Sequence, residues 1–373
     1  MLLRYPDIFF DFKCLCGGCE DNCCQMGWDI EIDEDTYTYY KGLGTELGRR
    51  LCENIYEEDG ALYMGQPEGC PFMDGEGLCS VQLECGAEHI SEICREHPRF
   101  YEWFGDVKEA GLGLCCEEVC RLVMEHEKPI LFTEREIDEA ADELEFDREL
   151  FREVRKLRDR LIDIAQDRGM SISQRMMILA YSTEDIADAV FDRDVKRLAQ
   201  LSGMLAIDGF RMEIVIHSQH ERHSAPERAM RMLCSIFERM EYMGNLGEIF
   251  TKCKGMTDKL EQCRDSFEKA YASYEHELEN ILVYFIWRYF IKCTRDLSAA
   301  EHIFSALICT VAVRVTFMAE FCERGELPDG KRRQWLVKEF SKEIEYDSDN
   351  MDIIYEEIQE GRADLMMLGG LFG

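Results

Sequence analysis

Basic residues are scarce in this chain of 373 residues, with 43 Lys and Arg against 76 Asp and Glu, a formal net charge of −33. The deficit argues against a nucleic-acid partner, because phosphate binding rests on clustered Lys and Arg. Residues 1–128 carry 10 basic and 28 acidic side chains, and the remainder 33 and 48, so the acidity runs through the whole chain. Such a surface stays solvated and attracts cationic, lysine-bearing partners at long range. Proline is also rare, at seven, while 46% hydrophobic and 32% charged residues suit a folded globular protein without long disordered tracts. A secretory signal is lacking, since Arg4, Pro6, Asp7 and Asp11 interrupt the apolar start. A cytoplasmic protein is expected. No membrane span is expected either. The apolar run Ile281–Ile291 is too short, and Ile303–Phe321 carries Arg314 between charged flanks, so both read as buried helices. A dinucleotide fingerprint is missing as well: Gly111-x-Gly113 is followed by Leu114-Cys115 and lacks its third glycine.

Cysteine is what the chain has in excess. Five of nineteen fall within eleven residues, Cys14, Cys16, Cys19, Cys23 and Cys24. In a reducing compartment such clusters mean metal or catalysis rather than disulfides. Thiolates bind zinc tetrahedrally or hold iron–sulfur clusters, and short spacings let one loop supply several ligands. Gly17-Gly18 permits a tight turn between Cys16 and Cys19. Cys70-Pro71-Phe72 and Gly77-Leu78-Cys79 add ligands from a second loop, and Cys94 from a helix. Cys234, Cys253, Cys263, Cys293, Cys309 and Cys322 are scattered through helical pattern and read as small core or surface residues. Cys16, Cys52, Cys85, Cys115 and Cys120 stay unassigned.

The fold class expected is mainly α. A small cysteine-rich, metal-stapled, irregular N-terminal domain covers 1–128, and a larger all-α helical domain covers 129–373, with the boundary at Lys128-Pro129. Trp28 to Asp33 alternates as a strand. One tyrosine-rich helix is predicted from about Asp35 to Leu51, loops and turns over 57–88, and a helix from His89 to Cys94. Gly111 to Glu125 carries cysteines into a further helix. Thr133-x-x-Glu136 reads as a capping box opening a helix whose stripe runs through Ile137, Ala141, Leu144, Phe151, Val154, Leu157, Leu161 and Ile164. Ser171-x-x-Gln174 opens another, and breaks fall near Pro226, Gly244–Gly247, Gly255 and Pro328–Gly330.

Phe12-Lys13-Cys14, Cys19-Glu20-Asp21-Asn22-Cys23-Cys24 and Gly27-Trp28-Asp29-Ile30 resemble the opening of the flagellin lysine-N-methylase family. So do, in order, Cys70-Pro71-Phe72 with Gly77-Leu78-Cys79-Ser80, Ile93-Cys94-Arg95 with His97-Pro98-Arg99, and Leu114 to Arg121 around Cys116. In the helical part, Glu279 to Tyr284 and Phe340 to Glu345 are similar to that family's later motifs. The cysteine portion alone also resembles zinc- or iron-chelating cysteine-cluster proteins. The resemblance implies metal ligands at Cys14, Cys19, Cys23, Cys24, Cys70, Cys79, Cys94 and Cys116. Eight such thiols allow one four-cysteine cluster with four spares or two four-cysteine sites. It implies methyl transfer from S-adenosylmethionine to surface lysines of flagellin, with an iron–sulfur cluster of the 4Fe–4S kind, zinc being the alternative metal. Cys16 is additional, Glu117 replaces an expected proline, and Tyr346 an expected histidine. The cysteine triplet of radical enzymes is absent, because Met26 fills its last place after Cys19 and Cys23. A metal-bearing interaction or electron-transfer module is the non-enzymatic alternative.

Glu279, Asn280 and Arg288 sit in an otherwise apolar helix and must pair or line a cavity. They are candidates for a cofactor or substrate pocket, or for a structural pair, with Arg314 as a partner on either reading. His217, His220 and His223 at spacings of three read as a solvated polar turn rather than a metal site, given Ser218, Gln219, Glu221 and Arg222 around them. Tyr37, Tyr39 and Tyr40 form either an aromatic wall for a cation or packing against the metal domain.

Overall fold

The structure is a computed structural model that describes residues 1–65, 69–142, 145–220 and 225–372, the side chains of Ser348, Leu365, Met366 and Phe372 excepted. Leu144, Glu221, Arg222 and His223 lie outside the described residues.

The strands are β1 (Leu2–Pro6), β2 (Ile30–Glu31), β3 (Ile55–Glu58), β4 (Ala61–Met64), β5 (Arg99–Phe104), β6 (Val107–Leu112) and β7 (Phe132–Glu136). The N-terminal helices are α1 (Glu34–Gly42), α2 (Glu46–Glu53), α3 (Ser80–Cys85), α4 (Glu92–Glu96) and α5 (Glu117–Met124). After them come α6 (Arg148–Ala165), α7 (Ile172–Phe191), α8 (Val195–Leu205), α9 (Asp208–His220), α10 (Pro226–Phe237), α11 (Leu246–Gly255) and α12 (Thr257–Tyr271). The C-terminal part holds α13 (Glu275–Tyr289), α14 (Cys293–Asp296), α15 (Ala299–Arg324), α16 (Gly330–Glu345), α17 (Ser348–Gln359) and α18 (Leu365–Phe372). The protein is mainly α, as the sequence implies.

The N-terminal region is less irregular than expected. It builds two small sheets, one of order β5-β6-β1-β7 and one of order β2-β4-β3. The second arises because Ile55–Glu58 and Ala61–Met64 form a hairpin, with Asp59 and Gly60 at positive φ in its turn, where only loops were expected. The single helix predicted over 35–51 is two, since Asp33 caps α1 and Thr45 caps α2 around a break at Gly44, which sits at φ +58°.

The capping box at Thr133 is a misreading. Thr133 to Glu136 is strand β7, paired antiparallel with β1 over Leu2 to Pro6. A Thr-x-x-Glu spacing fits the alternation of an edge strand as well as a helix start, and only the partner strand decides. The helix begins at Arg148 instead, where Asp147 accepts from the Glu149 and Leu150 amides. The capping box at Ser171 is present, with Gln174 returning the bond to the Ser171 amide. Since β7 pairs with β1, the first sheet joins residues on both sides of position 128.

One large core runs from Leu3 to Leu371 and takes in that sheet and the helices, while a small core of Ile32, Tyr40, Leu47, Leu51, Met64, Phe72 and Val81 serves the second sheet. The α13 run is buried except at Arg288, which is partly exposed, and α15, long and apolar enough to cross a membrane by composition, has 89% of its apolar window buried in the protein's own core. Arg158 joins the layers. Wholly buried, it pairs with Glu109 on β6, bonds the Trp287 carbonyl on α13 and stacks over the Trp287 ring at 4.1 Å. Burying apolar surface of this extent supplies the main stabilisation, at roughly 25 cal/mol per Å².

Candidate metal centre and the cavity around it

The loop from Lys13 to Gly27 crosses the seam between the two cores in two short turns, Cys16–Gly18 and Cys23–Gln25. Gly17 is needed there, because a Cβ would stand 2.8 Å from the Glu76 carbonyl of the neighbouring loop. That neighbouring loop, 70–79, is closed on itself. Met73 donates to the Cys70 carbonyl, Ser80 to Phe72, and Met73 bridges to Cys79. The Cys70 amide also donates to the Cys24 carbonyl at 2.6 Å, strapping one loop to the other.

Between these loops, α4 and the start of α5 lies a cavity of about 480 Å³. Cys14, Cys19, Cys23, Cys24, Cys70, Cys79, Cys94 and Cys116 all line it, so all eight residues expected as ligands come to one space. Cys16 and Cys115 line it too. Cys16 adopts a left-handed backbone (φ +52°) and its Sγ lies 3.9 Å from that of Cys14. Every cysteine is a free thiol. Cys234, Cys253, Cys293, Cys309 and Cys322 are buried in the helical core and Cys263 partly so, the structural placing expected of them.

Several sulfurs receive main-chain hydrogen bonds, the arrangement a thiolate ligand requires. The Cys16 amide donates to Cys14 Sγ at 3.4 Å. Burial pushes the Cys70 thiol up to about 11, against opposing donation from Phe72 and Met73. Burial also raises Cys79, against Gln82 and Val81, and Cys116, against Val119 and Glu118. The bond between the Cys23 and Cys24 thiols raises Cys23 and lowers Cys24 to about 7. Among the described residues, no group of three His, Cys, Asp or Glu side chains is arranged to hold a metal ion as placed. The sulfurs ring the cavity without converging on one ion. The donor set, eight soft thiols of which Cys14, Cys70, Cys79 and Cys116 have amide donors behind them, fits a thiophilic metal or iron–sulfur group.

One wall carries a group that sequence reasoning singled out only as motif residues. Trp28 stacks on Tyr346 with ring centres 5.1 Å apart at 13°, and both rings neighbour His97, at 5.8 and 6.4 Å. Trp28, His97 and Cys115 line the cavity, with His97 Nε2 4.0 Å from Cys115 Sγ. Burial, and then the Arg288 guanidinium, lower His97 to about 4, so its ring is neutral at neutral pH. Behind it Arg288 meets Glu345 at 3.2 Å, and Tyr284 and Tyr289 both donate to that carboxylate at 2.8 Å. Gly113 has no room for a side chain, because the Tyr346 hydroxyl occupies that place. The signal for Trp28 and His97 was in the sequence: both lie in the cysteine motifs without being cysteines.

The three candidates on α13 separate. Glu279 is buried and bound by Arg175 at 2.7 Å and by both Nε and an Nη of Arg168. Asn280 donates to the Val123 and His126 carbonyls, tying α13 to the end of α5. Neither lines the cysteine cavity, nor does Arg288, which stands one layer behind its wall. Arg314 does not partner them: it pairs with Glu268 on α12. Tyr40 lines the cavity from the small core, Tyr39 stacks on His89 at 3.8 Å and Tyr37 holds Lys41 over its ring. His217 and His220 lie in the last turn of α9.

Fold and site define a class, a thiol-lined cavity built on a short N-terminal unit and seated against a helical body. Residues 158–369, more than half the chain, match the FliB lysine N-methylase C-terminal domain, and the chain belongs to that family. It is similar to a lysine-N-methylase of Salmonella choleraesuis and one of Salmonella typhimurium, each 26% identical over 140 residues, 35% of this chain and 35% of the relative. It is also similar to the flagellar biosynthetic protein FliU of Salmonella muenchen, 27% identical over 127 residues, 32% of this chain and 75% of that protein. The matched stretch thus spans about a third of the two lysine-N-methylases. No solved structure matches the chain.

Proposed function

We propose that this protein is a cytoplasmic methyltransferase that moves the methyl group of S-adenosylmethionine to the ε-amine of surface lysines on flagellin, and that its cysteines hold an iron–sulfur centre. The observation that carries the reading is one cavity that brings together the eight thiols and the Trp28–His97 wall. Family membership and the names of the Salmonella relatives support the reaction class and the flagellar substrate.

The chemistry requires a neutral amine. The N–C bond forms as the S–CH3 bond breaks and its electron pair stays on sulfur, and the amine proton leaves for solvent. An iron–sulfur group supplies, when bound, an electron store and a rigid thiolate-bound anchor. The chain supplies the rest. An amine docked beside His97 meets the same burial and the same Arg288 cation that hold His97 neutral, and both influences disfavour an ammonium there. Neutral His97 can accept a hydrogen bond from that amine and orient it. The indole face of Trp28 offers a surface for a sulfonium or methylammonium cation.

A second reading, a metal-bearing docking module without catalysis, is favoured by Leu15, Leu83 and Ile93, which line the cavity yet are exposed at its rim. One assay separates the two. Metal-loaded protein is incubated with S-adenosylmethionine and flagellin, and lysine peptides are weighed for one-methyl increments. Increments are the expected result, and their absence with cofactor bound and metal intact sinks the enzyme.

A further inference from the structure

The eight thiols line one cavity, but they belong to two structural groups. Cys70 and Cys79 pack on the small core beside Phe72 and Val81, and the Cys24 backbone is hydrogen-bonded to Cys70. Cys94 stands on α4, which packs against β2 of the same small unit, with Ser91 capping the Cys94 amide. Cys116 belongs elsewhere: it packs against the large core at the head of α5. The segment between Cys19 and Cys23 is fixed to that side, because the Glu117 carboxylate accepts from the Glu20 and Asp21 amides at 3.0 and 3.4 Å and Lys338 pairs with Asp21.

We propose that the cysteines form two separate four-thiolate sets, each with its own metal centre. Cys24, Cys70, Cys79 and Cys94 sit on the small core, and Cys14, Cys19, Cys23 and Cys116 sit against the helical body. Phe12, two residues before Cys14, is buried in the large core, so that end of the loop is anchored on the helical side as well. The vicinal pair Cys23-Cys24 is where the sets meet, one residue given to each, and four thiolates complete a structural zinc site or a cubane cluster. Cys16, which lines the same cavity with its Sγ 3.9 Å from that of Cys14, is a ninth thiol beside them.

The inference rests on the metal-binding reading above, and stoichiometry separates the two. The full chain is purified without oxygen, loaded with ferrous iron and sulfide in one arm and zinc in the other, and assayed for metal and sulfide per folded chain. Two centres predict about eight iron with eight sulfide, or about two zinc. Cys79→Ser is expected to remove about half and leave the other half, Cys116→Ser to remove the complementary half, and the double variant to remove all. Electron paramagnetic resonance of the reduced iron form should show two signals that interact in the parent and one in each single variant. A single centre in the unsubstituted chain overturns the inference whatever the variants do, as does loss of all metal from either single variant with helical circular dichroism retained. No metal in either arm overturns the metal reading itself.

Discussion

Lys338, buried in α16, forms an ion pair with Asp21, which lies in the cysteine loop between Cys19 and Cys23. The contact joins residues 317 apart in sequence. The two partners differ in exposure, 1% for the lysine side chain and 33% for the aspartate. Removing the exposed partner strands a buried cation, whereas removing the lysine frees a carboxylate that water can reach. Asp21→Ala is therefore expected to cost about 2–3 kcal/mol and Lys338→Met about 1 kcal/mol. Glu339, 3.7 Å from the ammonium, softens the first figure. Denaturant unfolding of the two variants checks this, and equal or reversed costs contradict it.

Glu279 predicts a purely structural defect. Its carboxylate neutralises Arg175, whose side chain is 2% exposed. Glu279→Ala should destabilise the protein by about 3–5 kcal/mol, the cost of breaking a buried pair, a figure softened by Glu275, 3.7 Å from the Arg175 guanidinium. Affinity for S-adenosylmethionine, read by calorimetry on the milder Glu279→Gln, should not change. A loss of affinity at unchanged melting temperature would return Glu279 to the cofactor site.

His97 makes stability pH-dependent in a defined window. Its folded pKa of about 4 lies below the ordinary 6.5, with Arg288, Cys115, Tyr346 and Trp28 as the groups around it. Above pH 6.5 both folded and unfolded rings are neutral and its contribution is complete. Between 6.5 and 4 the unfolded chain takes up a proton the folded one refuses, so stability falls by up to about 3 kcal/mol and then levels. In urea titrations across that range, His97→Gln should lose this component of the slope. Parallel curves for parent and variant would contradict the assignment.

The cation-binding role proposed for Trp28 is testable in steady-state kinetics. Trp28→Leu is expected to raise KM for the lysine substrate or the methyl donor about 5- to 30-fold, the value of one desolvated cation–aromatic contact. Trp28→Phe, which keeps a ring face, should recover most of it. If leucine and phenylalanine behave alike, the indole acts only as packing.

What could be read from the sequence divides along a physical line. The cysteine clusters announce themselves by local spacing, the choice of eight among them came from the family resemblance, and the structure brings all eight to one cavity. The buried runs of α13 and α15 are legible because apolar length leaves them no other place. Thr133 misled because four residues of Thr-x-x-Glu carry the same pattern in a strand edge as at a helix start. The partners of Glu279, at positions 168 and 175, lie more than a hundred residues away, and no local rule points to them. Trp28 and Tyr346 meet only when the cysteine loop folds onto the end of α16, so their stacking, unlike the motif that marks Trp28, belongs to tertiary structure alone.

The place of β1 between β6 and β7 has a consequence for synthesis on the ribosome. The strand cannot complete its hydrogen bonding until residue 136 has left the exit tunnel, and by then thirteen cysteines are outside. During that interval an unpaired strand and a run of reduced thiols are exposed together, conditions that favour aggregation and oxidation. Early metal capture by the loops at 24, 70, 79 and 94 would shield the nascent chain, while Cys116 and Lys338 arrive later to lock the loop onto the helical body. Yield of soluble protein should then depend on metal supply during expression, more than on metal added afterwards.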